Sequence, residues 1–449
     1  MNVITNSRIW VSLNLDVWTT KRNLSIIKRV LCTNFEVPKD CELCSSDSSA
    51  AVDGDMNESQ LGAVSSCVSA SQCAHESQIR LIWGPPGTGK TNTIAFLLRA
   101  LQKMKCKTLT CAPTNVAVLQ VASRFLRLVV GDPSPKGGRA FRLGDVALFG
   151  NRDRMEIVDV ELAQHVFLEN RAKKLSLCFP QKTGWRHHIA CMTDLLEDGI
   201  SQYKIHSEKN NECPAFKSFV RKRFRAVSES LIECLETLFA MEEPLKILVI
   251  DEAAQLKECE AFISLQIPGI QHAILIGDER QLPAMVHSKS SERAGFGKSL
   301  FERLSSLDHK KHLLNVQYRM HPSISRFPNE FFYDNKILDG PNVLTHKSYR
   351  MPQYLTGRMY GTYSFINIDG EEALDEWNRS SRMNMAEVAA VSNIIERLSQ
   401  ASAATGRRVS VGVISPYMAQ VVVLKEKLEN TYKDQSKFSV KVQLVDIRK

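Results

Sequence analysis

Gly84-Pro85-Pro86-Gly87-Thr88-Gly89-Lys90-Thr91 matches the pattern G-x-x-x-x-G-K-[ST], the phosphate-binding P-loop. Ile79-Arg80-Leu81-Ile82-Trp83 before it reads as a buried strand, and Thr93 to Leu101 after it reads as a helix. A strand, a Gly-rich turn and a helix N-terminus aim backbone N–H groups and the positive end of the helix dipole at one anion. In such a cradle, built by Gly84, Pro85, Pro86, Gly87, Thr88 and Gly89, the Lys90 ammonium reaches the β- and γ-phosphates of a nucleotide. The Thr91 hydroxyl ligates Mg²⁺. The bland alternative, a Gly/Pro connection between a strand and a helix, leaves the fixed Lys-Thr pair unexplained.

The pattern continues outward from this loop. Lys107 to Pro113 is the next strand, ending in Thr114-Asn115. Residues 131–240 then interrupt the alternation with a Gly/Pro-rich turn, one expected strand near Asp145 to Phe149, and mostly helical, charged sequence. That is too long for a connection in a compact unit and reads as an inserted subdomain. Strands resume at Leu245 to Ile250 and Ala273 to Ile276. Short apolar runs without alternation suit a parallel sheet covered on both faces. A second α/β set follows, with strands expected at His312 to Val316, Tyr363 to Ile368, Val409 to Ser415 and Val440 to Val445. Helices at Met385 to Leu398 and Ala419 to Asn430 fall between them.

Composition sets outer bounds. A chain of 449 residues with 43% hydrophobic content holds two or three domains with real cores. No apolar run approaches the ~20 residues of a membrane-spanning helix, so no membrane partner is expected. Asp16, Lys21 and Arg22 interrupt any signal-peptide pattern, which points to an intracellular chain whose 12 cysteines are reduced. Cys41 and Cys44 form a C-x-x-C with no second pair at metal spacing, and read as loop thiols rather than a zinc module. The net charge of +9 permits a polyanionic partner without requiring one. The run Lys217 to Arg225 mixes five cations with two aromatics, and suits a phosphate grip or a solvated helix face equally.

Three further motifs carry chemistry. Asp251-Glu252-Ala253-Ala254-Gln255 follows a buried strand, expected beside the P-loop strand. There Asp251 would hold Mg²⁺ and Glu252 would orient and deprotonate the attacking water. Gly277-Asp278-Glu279-Arg280-Gln281-Leu282-Pro283 follows the next strand. Gln281 would bond the γ-phosphate or the water, while Gly277 and Asp278 suit a turn. In Asn315-Val316-Gln317-Tyr318-Arg319-Met320-His321-Pro322, Arg319 would close over the nucleotide as an arginine finger and Tyr318 would stack on a base.

The ordered set resembles the superfamily 1 helicases of the senataxin and nonsense-mediated-decay kind, most of all plant senataxin-like helicases. It runs Gln60 in Asn57-Glu58-Ser59-Gln60, GPPGTGKT, Ala112-Pro113-Thr114-Asn115, DEAAQ, GDERQLP, QYRMHP and Val413-Ile414-Ser415-Pro416-Tyr417. The resemblance implies an α/β fold of two RecA-like domains with parallel sheets: an N-terminal accessory stub at 1–53, a first domain at 54–308 carrying the helical insertion, and a second at 309–449. It implies ATP and Mg²⁺ as cofactors and movement 5′ to 3′ along single-stranded RNA or DNA. Gln60 would read the adenine edge and Tyr318 stack on it. Gln281 and Arg319 would contact the γ-phosphate. Thr114 and Asn115 from one domain and Ser415, Pro416 and Tyr417 from the other would touch the strand. A monomer working with RNA-processing proteins in the nucleus, or alternatively the cytoplasm, is expected. The chain departs from the family after Val445-Asp446, where a late arginine motif is missing, and shows no Ser/Thr-rich strand at 231–244. These departures imply an incomplete second domain. The alternative expectation is therefore a truncated ATP- and nucleic-acid-binding protein with little hydrolysis or unwinding.

Overall fold

A computed structural model describes residues 24–31, 55–130, 146–150, 155, 166–210, 214–239, 244–286, 288–345, 357–374, 381–432 and 436–445. In chain order the first half forms helix α1 (Leu24–Leu31), α2 (Glu58–Ser71), strand β1 (Ile79–Trp83), α3 (Lys90–Lys103), β2 (Thr108–Cys111) and α4 (Asn115–Val130). Helices α5 (Leu168–Leu177), α6 (Trp185–Asn210) and α7 (Phe216–Phe239) follow. Next come β3 (Ile247–Ile250), α8 (Glu258–Leu265), β4 (His272–Gly277), α9 (Lys289–Arg293), α10 (Leu300–Ser306) and β5 (Lys311–Leu313).

The central sheet is wholly parallel, in the order β2-β3-β4-β1-β5. Its inner strands β1, β3 and β4 are mainly apolar at successive positions because both faces are covered. Leu81, Leu248, Ile250, Ala273 and Leu275 point to one face, where they meet Phe262 and Leu265 of α8 and Phe301 and Leu304 of α10. Ile82, Ile247, Val249, Ile274 and Ile276 point to the other, against Val64 and Val68 of α2 and Ile94, Leu97 and Leu101 of α3. Side chains alternate across a strand, so a continuous apolar run feeds two cores at once.

Three sequence expectations change here. The strand bearing Asp251, β3, is not the neighbour of the P-loop strand, because β4 lies between it and β1. The carboxyl end of β4 is thereby inserted between loop and acid. Residues 311–313 join the first sheet as its edge, pairing with β1, and are not part of a second set. Helix α1, expected in an accessory stub, packs Ile26, Ile27 and Val30 into the first core. It is tied down by Arg303 Nη2, which donates to the Val30 carbonyl at 2.8 Å.

The insertion is helical where described. The strand expected near Asp145 to Phe149 is reduced to a single bridge between Leu148 and Phe167. Leu148, Met155, Val166 and Phe167 make a satellite core with Phe125 and Val129 of α4. Helices α6 and α7 pack through Tyr203, which meets Phe216 and Phe219 edge-on at 5.3 and 5.5 Å.

The remainder contains β6 (Val316–Gln317), α11 (Pro322–Phe332), β7 (Leu338–Asp339), α12 (Pro341–Thr345), β8 (Glu372–Leu374), β9 (Arg382–Asn384), α13 (Met385–Thr405), β10 (Val409–Ser415), α14 (Met418–Leu424) and β11 (Phe438–Leu444). Strands β10 and β11 pair in parallel. Their core is Val413 and Val442 against Val388 and Ile395 of α13 and Val421 and Leu424 of α14. Residues 363–368, expected as a strand, form none, and Tyr363 and Phe365 are exposed. Without an apolar face to bury, an extended run has nothing to fix it in a sheet. Cys41 and Cys44 lie outside the described residues. No helix among the described residues is long and apolar enough to cross a membrane.

Candidate active site

The loop after β1 stays tied to the sheet, because the Gly84 N–H donates to the Gly277 carbonyl at the end of β4 at 3.0 Å. Gly87 and Gly89 have φ of +79° and +85°, a left-handed backbone that glycine adopts without steric cost. The Thr88 hydroxyl is buried and donates to the Pro85 carbonyl at 2.8 Å, closing the turn from inside. Lys90 folds back over Gly84, where a Cβ would stand 2.3 Å from its Cγ. Its Nζ donates to the Gly84 carbonyl at 2.9 Å and stands 3.6 Å from Glu252 Oε1. Thr91 follows on the first turn of α3.

Asp251 and Glu252 arrive at the carboxyl end of β3. Asp251 is buried, and its Oδ1 accepts the Glu252 N–H at 2.9 Å. Burial, then the Glu252 charge, push the Asp251 carboxyl up to about 6, against the opposing pull of the Glu252 N–H and Lys90. Glu252 adopts φ +50° and ψ +40°, a conformation costing a non-glycine residue roughly 1–2 kcal/mol. That turn leaves its carboxylate near Lys90. A hydroxyl and a carboxylate are hard oxygen donors of the kind Mg²⁺ takes. A cation beside Asp251 would offset the desolvation that raises it. The donor set therefore fits the metal, although among the described residues no cluster of three or more His, Cys, Asp or Glu forms a dedicated cage.

Gln281 lies beyond β4, between the P-loop strand and the acid strand, and its Nε2 donates to Asp278 Oδ2 at 2.6 Å. Asp278, read from sequence as a turn residue, is 1% exposed. It also accepts from Trp83 Nε1 at 2.9 Å, the Arg280 N–H at 3.0 Å and the Tyr333 hydroxyl at 2.7 Å.

Tyr318 and Arg319 reach the same loop from the segment beyond β5. The Tyr318 N–H donates to the Gly87 carbonyl at 2.9 Å, and a Cβ on Gly87 would stand 2.8 Å from the Arg319 Cβ. The close approach needs a glycine there. Gln317 fixes this turn from a fully buried position. Its Oε1 accepts the Arg319 and Met320 N–H groups at 2.9 and 2.7 Å, and its Nε2 donates to the Met320 carbonyl and to Asp339. The Tyr318 hydroxyl accepts from Asn57 Nδ2 at 2.9 Å. Gln60, expected at an adenine edge, is buried at the start of α2. It completes a capping box with Asn57, and its Nε2 donates to the Thr88 carbonyl at 3.1 Å.

The strand-contacting expectations fall at helix starts. The Thr114 hydroxyl is exposed and accepts the Ala117 N–H at 3.2 Å, opening α4 before Asn115. Ser415 is buried, with its Oγ accepting the Tyr417 N–H at 3.3 Å, while Pro416 and Tyr417 are exposed at the start of α14. Sequence reasoning missed Trp83, Asp278, Gln317, Tyr333 and Asp339. The available signal was polar residues at positions flanked by apolar strands, where burial demands partners.

One AAA domain model matches residues 55–230 and 226–289, and a second AAA domain model matches residues 296–448. A Neurospora crassa protein named regulator of nonsense transcripts 1 homolog is 30% identical over 408 residues, covering 87% of this chain and 33% of that protein. The chain belongs to the superfamily 1 helicases of the nonsense-mediated-decay and senataxin kind. Helicase sen1 of Schizosaccharomyces pombe is 27% identical over 438 residues, covering 84% of this chain and 26% of its own length. Probable helicase MAGATAMA 3 of Arabidopsis thaliana is 32% identical over 201 residues, covering 44% and 24%. The chain thus spans about a quarter to a third of the length of these relatives.

Proposed function

We propose that this chain is an ATP-dependent translocase or helicase acting on single-stranded RNA or DNA. The observation that carries the reading is the meeting of the two halves of the site at Gly87. The Tyr318 N–H bonds the P-loop carbonyl there, which brings Arg319 against Gly87 of the loop that leads into Lys90. Lys90 binds the β- and γ-phosphates, and Glu252, released from it, takes the proton of the attacking water. Gln281 orients that water, and Arg319 stabilises charge on the transferred group. Thr91 and Asp251 would hold Mg²⁺, which would supply neutralisation of phosphate charge. Tyr318 and Gln60 flank the base. Thr114, Asn115, Ser415, Pro416 and Tyr417 contact the strand, with binding dominated by phosphate charge and stacking. The domain limits proposed are those of the two α/β cores, with α1 counted in the first. The chain acts as a monomer with RNA-processing partners, in the nucleus or the cytoplasm.

The test is ATP turnover by the purified chain with and without a single-stranded oligonucleotide, and unwinding of a duplex bearing a 5′ overhang. Strand-stimulated turnover supports the proposal. ATP and strand binding without turnover would leave only an ATP- and nucleic-acid-binding protein.

A further inference from the structure

Asp278 is a buried carboxylate with every acceptor site engaged. Its Oδ1 takes Trp83 Nε1 at 2.9 Å and the Arg280 N–H at 3.0 Å. Its Oδ2 takes Gln281 Nε2 at 2.6 Å and the Tyr333 hydroxyl at 2.7 Å. A carboxylate offers about four lone-pair sites, so moving one donor redirects the oxygen that another uses. Those donors belong to separate parts of the site. Trp83 immediately precedes Gly84 of the phosphate loop. Gln281 follows β4. Tyr333 ends α11, the helix that starts at Pro322 just beyond Arg319. Around the carboxylate, the Trp83 and Tyr333 rings stand 5.8 Å apart, and Lys311 Nζ lies 4.6 Å from the Trp83 ring centroid. Burial and the bond to Asp278 raise the Tyr333 phenol above its ordinary range, so it stays a donor.

We propose that Asp278 is a positioning residue for hydrolysis: through one shared oxygen it couples the placement of Gln281 to the position of Tyr333 and hence of the segment carrying Arg319. A purely structural carboxylate would need buried partners, but it would not need Gln281 and Tyr333 on the same oxygen. The inference rests on the ATPase reading above. Tyr333 is assigned no contact with nucleotide and acts through the carboxylate. Its hydroxyl sets the carboxylate, the carboxylate sets Gln281, and Gln281 meets the water.

The experiment is a double-mutant cycle on the full chain with Tyr333→Phe, Gln281→Ala and both together. Tyr333→Phe keeps the ring that packs on Trp83 and removes only the hydroxyl. It should lower kcat of oligouridylate-stimulated ATP turnover about tenfold, equal to ~1.4 kcal/mol of barrier. KM and nucleotide Kd should stay within about twofold. In the Gln281→Ala background the same change should have no further effect on kcat. An equal loss in both backgrounds, or no loss in the wild-type background, overturns the proposal. Absence of turnover in the wild-type chain would be a failure of the ATPase reading, and a second readout then decides the coupling. The ¹⁵N-indole resonance of Trp83, assigned with Trp83→Phe, should shift on adding Mg²⁺ and a non-hydrolysable ATP analogue, and should not shift in Gln281→Ala. A silent resonance in the wild-type chain, or a shift retained without Gln281, overturns the proposal.

Discussion

Lys90 bridges the loop proposed to bind phosphate and the carboxylate proposed to activate water, with its Nζ on the Gly84 carbonyl and 3.6 Å from Glu252. Removing each end separates binding from chemistry. Lys90→Ala should abolish measurable ATP binding in titration calorimetry. Glu252→Gln should bind ATP as tightly as wild type and hydrolyse it at least ~100-fold more slowly, the loss expected for a general base. Equal affinity in the Lys90 variant would contradict the assignment. At the far end of β4, His272 makes a different single-residue prediction. Its Nδ1 accepts the Gln78 N–H at 3.1 Å, which requires the nitrogen to be unprotonated. Burial lowers its pKa from 6.5 to about 4. The folded protein therefore holds fewer protons there than the unfolded chain between those values. The stabilisation is complete above pH 6.5 and is lost as pH falls toward 4, by about 3 kcal/mol in all. Urea midpoints measured at pH 7.5 and pH 4.5 should fall less in His272→Gln than in wild type. Equal losses would show that His272 titrates normally.

At the scale of elements, the readable parts were those whose chemistry is local. The strands β1, β3 and β4 were legible because an apolar run of four to six residues ending at a motif has one plausible home in a parallel sheet. Their order was not, because strand neighbours are chosen by packing across the sheet rather than by sequence. The three-residue edge β5 was too short to declare its partner. The residues of helix α1 were read as part of an accessory stub, and the target of Ile26, Ile27 and Val30 was not legible. Ile26 is fully buried in the first core, so Ile26→Ala should destabilise the chain by about 2–5 kcal/mol, read as a lowered urea midpoint. An unchanged midpoint would mean that α1 is peripheral. Along α7 the sequence left two readings of the run from Lys217 to Arg225. Phe219 is buried against Tyr203 and His206, so it serves the helix pair and not a base. Lys217, Arg221, Lys222, Arg223 and Arg225 are exposed. If this face grips phosphates, replacing Lys222 and Arg223 with Ala should reduce the slope of log affinity against log salt by about one unit per lost contact. Fluorescence anisotropy over a salt series reads this, and an unchanged slope would assign the face to solvent.

At the scale of the whole molecule, the site exists only because residues separated by more than two hundred positions converge. The P-loop and its acids come from the first parallel sheet, while Arg319 comes from the segment beyond β5. The backbone contact of Tyr318 with Gly87 and the buried Gln317–Asp339 pair hold the arginine's turn against the loop. Sequence showed each motif, and resemblance supplied their roles. What it could not show was that the turn is clamped by Gln317, whose carboxamide is consumed internally and so carries no outward signal of function. This arrangement makes a specific demand on turnover. Arginine side chains that enter a P-loop site stabilise charge developing in the transition state, which is worth roughly 10³–10⁵ in rate. Arg319→Ala should therefore lower strand-stimulated kcat by about a thousandfold or more, with nucleotide affinity changed by less than about tenfold. Arg319→Lys should recover little, because a point charge does not reproduce the planar fork of a guanidinium. Gln317→Ala should give a milder version of the same defect, since the turn would lose its internal acceptor while the guanidinium remains. The order of severity, Arg319→Ala worse than Gln317→Ala at unchanged nucleotide affinity, separates transition-state stabilisation from simple assembly of the site. If both variants instead lost affinity and turnover in equal measure, Arg319 would be a binding residue, and the coupling of the two halves to hydrolysis would have to run through another group.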